Sequence, residues 1–225
     1  MAITQIVKTS LVASAISQLR KGIEDGSLPP GKHLNQEDLA AAAGISRTPI
    51  RQALITIAHE GLLEESTQGF RVVQLDVMEA IDMFEVRAAL EGVVARLAAK
   101  RATPEGLARL RRVAENGPLF TDSADDPEDF HFVTADIVGL PVLTRLRTIA
   151  HSGAQLARSE LLSHSAKRSH SFEEDSSAIR QEHCTMLNAI VAGEQDEAER
   201  LVRSHFLEGR DRLVNALADE IKVAS

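Results

Sequence analysis

Apolar positions recur at three- and four-residue spacing along most of this chain, with one interruption. Val12, Ala15, Ile16 and Leu19 make the stripe of a first amphipathic helix, which Gly22, Gly26 and the turn Leu28-Pro29-Pro30-Gly31 bring to a stop. Two short helical patterns follow and meet at Gly44. Asn35 can cap the first, with Asp38 in the acid position of a capping box and Leu39, Ala42 and Ala43 as its apolar side. Ser46 is placed to cap the second, Pro49 falls in its first turn where no backbone N–H is needed, and Ile50, Leu54, Ile57 and Ala58 form its buried stripe. The interruption comes next. Leu62-Leu63-Glu64-Glu65, a turn at Ser66-Thr67-Gln68-Gly69, and Phe70-Arg71-Val72-Val73 read as a two-stranded wing.

From Val77 the helical period returns. Val77, Ile81, Phe84 and Ala88 lead into Val94, Leu97 and Ala98, and Thr103-Pro104 opens a second helix carrying Leu107 and Leu110. Further patterns span Glu128 to Val138 and Val142 to about Leu162. One that a Ser171/Glu174 capping box would open ends near Gly193, and the last runs from Gln195 to Ile221. The expected fold is mainly α. Residues 1–74 form a winged helix-turn-helix, three helices plus a two-stranded wing, and residues 77–225 an antiparallel bundle of about six helices.

Composition narrows the class. At 225 residues with 44% hydrophobic and 26% charged positions, the chain can bury real cores. No apolar run approaches the roughly 18 residues of a membrane span, and the N-terminus lacks the pattern of a secretory signal. The lone Cys184 suits a reducing compartment, so a cytoplasmic protein with no membrane partner is expected. Tryptophan and tyrosine are absent, which disfavours stacking on single-stranded nucleic acid. The net charge of −8 taken over the whole chain opposes DNA binding, but acids and bases cancel within residues 1–74 and the excess acid lies in the bundle. A neutral head can still engage phosphate through clustered arginines.

Two groups of residues carry candidate chemistry. Arg47, Thr48 and Arg51 crowd the start of the second helix of the helix-turn-helix, with Ser46 before them. A recognition helix enters the major groove by that end, where arginine can pair with guanine edges or phosphate. Gly69 and Arg71 lie at or near the wing tip, within reach of backbone and minor groove. In the bundle, His131, His183 and His205 each sit on an apolar stripe, on three separate helices. One buried histidine is most simply a core residue bonded to a neighbour. Three aimed into one bundle point to a shared divalent ion such as Zn, Ni or Mn. Arg87 and Glu91, four apart on the long helix, can present a guanidinium fork steadied by an acid. His33, His59, His151, His164 and His170 read as surface or loop residues.

The order and spacing of LRKGIEDGSLPPGKHL, QEDLAAAAGISRTPIRQAL and EGLLEESTQGFRVV resemble the winged helix-turn-helix of the GntR superfamily of bacterial transcription regulators. FEVRAALEGVVARLAA, DFHFVTADIVGLPVLTRL and EHCTMLNAIVAGEQDEAERLVRSHF resemble the helical effector-binding FCD domain of its FadR-like branch. The resemblance implies DNA contacts at Arg47, Thr48 and Arg51, and a wing tip at Gly69. It further implies a divalent metal on His131, His183 and His205, with a small carboxylate against the metal and Arg87. The family's metal-binding aspartate would precede His131 by four residues; that position is Pro127 here, and Asp126 lies one place earlier. The fatty-acid regulator that names the branch carries an arginine on the second helix where this chain has Glu37, so its operator is not carried over.

These readings together imply a DNA-binding regulator, a repressor in most such cases. It would act as a homodimer on a pseudo-palindromic operator, because one recognition helix reads only a half-site. Two alternatives stand beside it: a metal-free regulator binding an acyl chain or acyl-CoA, and a metal-dependent enzyme built on the three histidines.

Overall fold

The computed structural model describes residues 6–67, 69–118, 128–163 and 176–223. In the N-terminal part, α1 (Ile6–Glu24) packs on a helix pair, α2 (Gln36–Ala43) and α3 (Arg47–His59). The Asn35 side chain accepts a hydrogen bond from the Glu37 N–H, and Gly44, at φ 64°, ends α2 in the left-handed conformation. Ser46 occupies the cap position of α3 but its hydroxyl makes no capping bond, so α3 is held by its buried side. Ala15, Leu19 and Ile23 of α1 meet Ile50, Ala53, Leu54 and Ile57 of α3 in one core.

The wing is a strand richer than the sequence pattern suggested. β2 (Leu63–Ser66) and β3 (Gly69–Val72) pair antiparallel, and β1 (His33–Leu34) adds to the far side of β3 to give the order β1-β3-β2. Two residues are too few to show a hydrophobic period. β1 exists because β3 offers it free backbone groups and Leu34 reaches the head core.

The C-terminal part comprises six described helices: α4 (Val77–Arg101), α5 (Pro104–Asn116), α6 (Phe130–Val138), α7 (Pro141–Ser163), α8 (Ser176–Ala192) and α9 (Gln195–Val223). Asp76 and Glu79 form a reciprocal capping box that starts α4 directly after the wing. The expected Ser171/Glu174 box lies outside the described residues. α4 is the central helix, packed along both α7 and α9. The larger core joins Ala88, Val94, Ala95 and Ala98 of α4 to Leu110, Phe130, Val133, Met186, Ile190 and Val202.

Head and body are not merely strung together. Leu156 of α7 is buried in the head core beside residues of α1 and α3. Leu156→Ala is expected to cost about 2–5 kcal/mol of stability, the range for a buried leucine truncated to alanine. Urea unfolding measures this, and a loss under ~0.5 kcal/mol would show that the contact contributes little.

Candidate functional site

The three histidines meet inside the bundle. Asp129 caps α6 by accepting from the Phe132 N–H at 2.6 Å, which places His131 in the helix's first turn. α8 supplies His183 and α9 supplies His205. Their rings form a nearly equilateral triangle, with centroids 5.2 to 5.3 Å apart. One ring nitrogen from each lies within 4.8 Å of the others, close enough for side-chain rotation to bring all three onto one ion. Both ring nitrogens of His183 are buried and make no hydrogen bond. An imidazole left so is costly unless something else takes its lone pair, and a cation fits that need.

Glu182 fixes the third ring. Its carboxylate lies 2.6 Å from His205 Nδ1, so that nitrogen donates to it and Nε2 is left as the one that could hold an ion. The hydrogen bond with His205 holds the Glu182 carboxyl below its usual range, and the charge of Arg212 adds to this. A cavity of about 210 Å³ lined by Glu182, Met186, Leu201, Ser204 and His205 lies at this edge.

Arg87 comes from α4. Its guanidinium carbon sits 4.5 Å from the centroid of Phe206, whose ring also packs on His131 and His205. Against the burial that lowers the Arg87 pKa, Glu91 is the foremost charge favouring its cation, as expected, but it is shared. Its carboxylate bonds Arg147 of α7 at 3.0 Å, and Arg147 also reaches Asp129 at 3.1 Å. All three members of this ion network are buried. Burial pushes the Glu91 carboxyl up from its usual range, while Arg147 and then Arg87 pull it back. Asp129 is therefore committed to a helix cap and an arginine, and Asp126 lies outside the described residues.

The residues expected to contact DNA are all exposed apart from Gly69, which is half-buried at the wing turn with φ 117°. Arg47 pairs with Glu37 at 2.7 Å, and Arg71 donates through Nε to Glu64, also at 2.7 Å. Ser46, Thr48 and Arg51 stand at the free end of α3.

Residues 82–208 match the FCD domain, and residues 11–72 match the bacterial regulatory proteins of the gntR family. The chain belongs to the GntR family of transcriptional regulators. It is 24% identical over 211 residues to the uncharacterized HTH-type regulator YdhC of Bacillus subtilis, covering 90% of this chain and 91% of that one. To the Nta operon transcriptional regulator of Aminobacter aminovorans it is 28% identical over 195 residues, covering 84% and 87%. The fold matches Escherichia coli McbR/YncC at a TM-score of 0.69 and 20% identity, spanning 92% of this chain and 98% of that one. The family and these relatives are regulators and not enzymes, and a GntR regulator acts by binding DNA. No helix among the described residues is long and apolar enough to cross a membrane.

Four buried polar side chains of α7 escaped the sequence reading: Arg147, His151, Ser152 and Glu160. Arg147 and His151 sit one turn apart on α7, and both are buried, although His151 was expected at the surface. The buried side of α7 runs Arg147, Ala150, His151, Ala154, Ala157 and Leu161. Small residues around Arg147 and His151 gave too faint an apolar stripe. The signal available was the helical spacing of those alanines, which would have placed these two inside. His33 and His59 are exposed as expected; His164 and His170 lie outside the described residues.

Burial lowers the pKa of His183 to about 3 and of His151 to about 2 from 6.5, and holds His131 well below it. The unfolded chain binds these protons near pH 6.5 and the folded chain does not. For metal-free protein this part of the stability is complete above pH 6.5 and is lost as pH falls toward the folded values. Each histidine adds a slope of up to about 1.4 kcal/mol per pH unit there. Urea unfolding at about pH 7.5 and pH 5.5 measures the slope, and His183→Gln should make it shallower. A wild-type stability flat across that interval would contradict the burial of neutral imidazoles.

Proposed function

We propose that this GntR regulator senses a small carboxylate through a divalent ion held by His131, His183 and His205, with Arg87 beside it. The observation that carries this reading is the convergence of three imidazoles from α6, α8 and α9, with neither ring nitrogen of His183 hydrogen-bonded. His205 would be oriented for the ion by Glu182, and three neutral imidazoles suit Zn, Ni or Mn. When bound, the ion supplies a Lewis-acidic coordination position for a carboxylate oxygen. The chain's own residues would do the rest. Arg87, braced on Phe206, offers a planar fork to the same ligand, and the apolar ring excludes water from it. The polar, arginine-bearing pocket favours this over a metal-free pocket for an acyl chain.

DNA reading is assigned to Ser46, Arg47, Thr48 and Arg51 at the mouth of α3, and to Gly69 and Arg71 in the wing. Repression is the sign we favour, as for a relative from Paenarthrobacter nicotinovorans described as a probable D-xylose utilization operon transcriptional repressor, 34% identical over 96 residues, 42% of each chain. The ligand would act by shifting the balance between head arrangements with different operator affinity.

A homodimer is part of this reading. Val86 and Val93 of α4 and Val142, Leu146 and Ile149 of α7 are exposed on two helices that pack together, and we take them as the dimer face. A twofold contact there would present two heads to two half-sites. Leu146→Asp is expected to convert the dimer to monomer in sedimentation velocity; an unchanged sedimentation coefficient would place the contact elsewhere.

Elemental analysis after loading and dialysis tests the metal. About one zinc per chain is expected for the wild type and under a tenth of an ion for His183→Ala. A wild type that retains no metal removes this part of the reading. Arg51→Ala should weaken specific operator binding by roughly 1–3 kcal/mol in a fluorescence-anisotropy titration while keeping its zinc. Loss of both properties in both variants would sink the division of labour between head and body.

A further inference from the structure

α4 and α7 run antiparallel, and three contacts set their register. Glu91 bonds Arg147. Met83 lies under Gly153, where an added Cβ would come within 2.2 Å of the methionine methyl. Ala80 shares a small core with Ala157 and Leu161. Arg87 falls midway between Glu91 and Met83, and His151 falls between Arg147 and Gly153. The two therefore stand level across the helix interface. Consistent with this, the Arg87 charge is the strongest electrostatic influence acting on His151.

Both are hydrogen-bond donors, and neither is satisfied by the other. Arg87 Nε is buried with no partner. The Gln155 side-chain amide nitrogen lies 3.5 Å from His151 Nε2; in the tautomer in which that ring nitrogen accepts, Nδ1 carries the proton. Nδ1 is buried and has no partner either. Two adjacent buried donors without an acceptor cost free energy unless a ligand supplies one. The surrounding charge points the same way. Arg87 and Arg147 place two guanidinium cations here, and the carboxylates of Glu91 and Asp129 are already bonded to Arg147.

We propose that the effector is a dicarboxylate, with one carboxylate at the histidine trio and the second accepting from Arg87 Nε and His151 Nδ1. The proposal rests on the carboxylate-sensing reading above and adds the ligand's second charged end. A guanidinium carries five donors, so Arg87 can serve both ends. His151 is then the residue that selects a dianion over a monoanion of the same length.

Isothermal titration of the zinc-loaded, full-length protein tests this with succinate, glutarate and malate against butyrate and valerate. The best dicarboxylate is expected to bind at least about tenfold tighter than either monocarboxylate. His151→Phe should cut that preference to about threefold or less, with zinc content measured on the same samples. His151→Gln keeps an amide donor and should recover part of the preference; it also serves if the phenylalanine variant fails to fold. Equal affinity for the two ligand classes in the wild type, or an undiminished preference in both variants, overturns the dicarboxylate proposal and leaves carboxylate sensing standing. Zinc-loaded wild type that binds none of the five compounds overturns both.

Discussion

The buried bridge of Arg147 to Glu91 and Asp129 is the interaction on which the arrangement of the bundle's inner polar residues depends. It ties α7 to α4 and to the first turn of α6, three helices that supply Arg87, His131 and His151. Such a network is poor evidence of stability, because desolvating its charges offsets most of their attraction. What it provides is definition. Removing any one member would leave a buried charge uncompensated, at a cost of about 3–5 kcal/mol. Asp129 adds a second constraint, since the same carboxylate caps α6 and so sets where His131 stands.

α7 links this bridge to the DNA-binding head. Arg147 lies in its first half, and Leu156, nine residues further along, is buried among α1 and α3 side chains. At 1.5 Å per residue the two are about 13 Å apart on one continuous helix. The ion network and the head core thus share a single rigid element, and side chains near either end answer to the same rod.

The head itself is arranged for exchange. Arg47 and Arg71 are paired to Glu37 and Glu64 in the open, where an ion pair contributes little. Phosphate can displace such partners at small cost. With Arg47 and Arg71 already answered by the head's own acids, less charge is spare for arbitrary DNA.

Much of this was legible in the chain. Periodicity, Gly44, Pro49 and the hairpin between Leu62 and Val73 determined the head, and six helical stretches determined the body. The three histidines were legible because each interrupts an apolar stripe at helical spacing. Local pattern records which face of a helix is inward, and that is sufficient for such residues. It does not record which residues of two inward faces meet. Glu91 reads as the natural partner of Arg87, one turn away, yet Arg147 takes its carboxylate because α7 packs antiparallel against α4. β1 likewise exists only through β3, and His151 is interior only through the alanines around it and the helix opposite. Those outcomes depend on contacts between segments far apart in sequence, which close only once the helices have found their register.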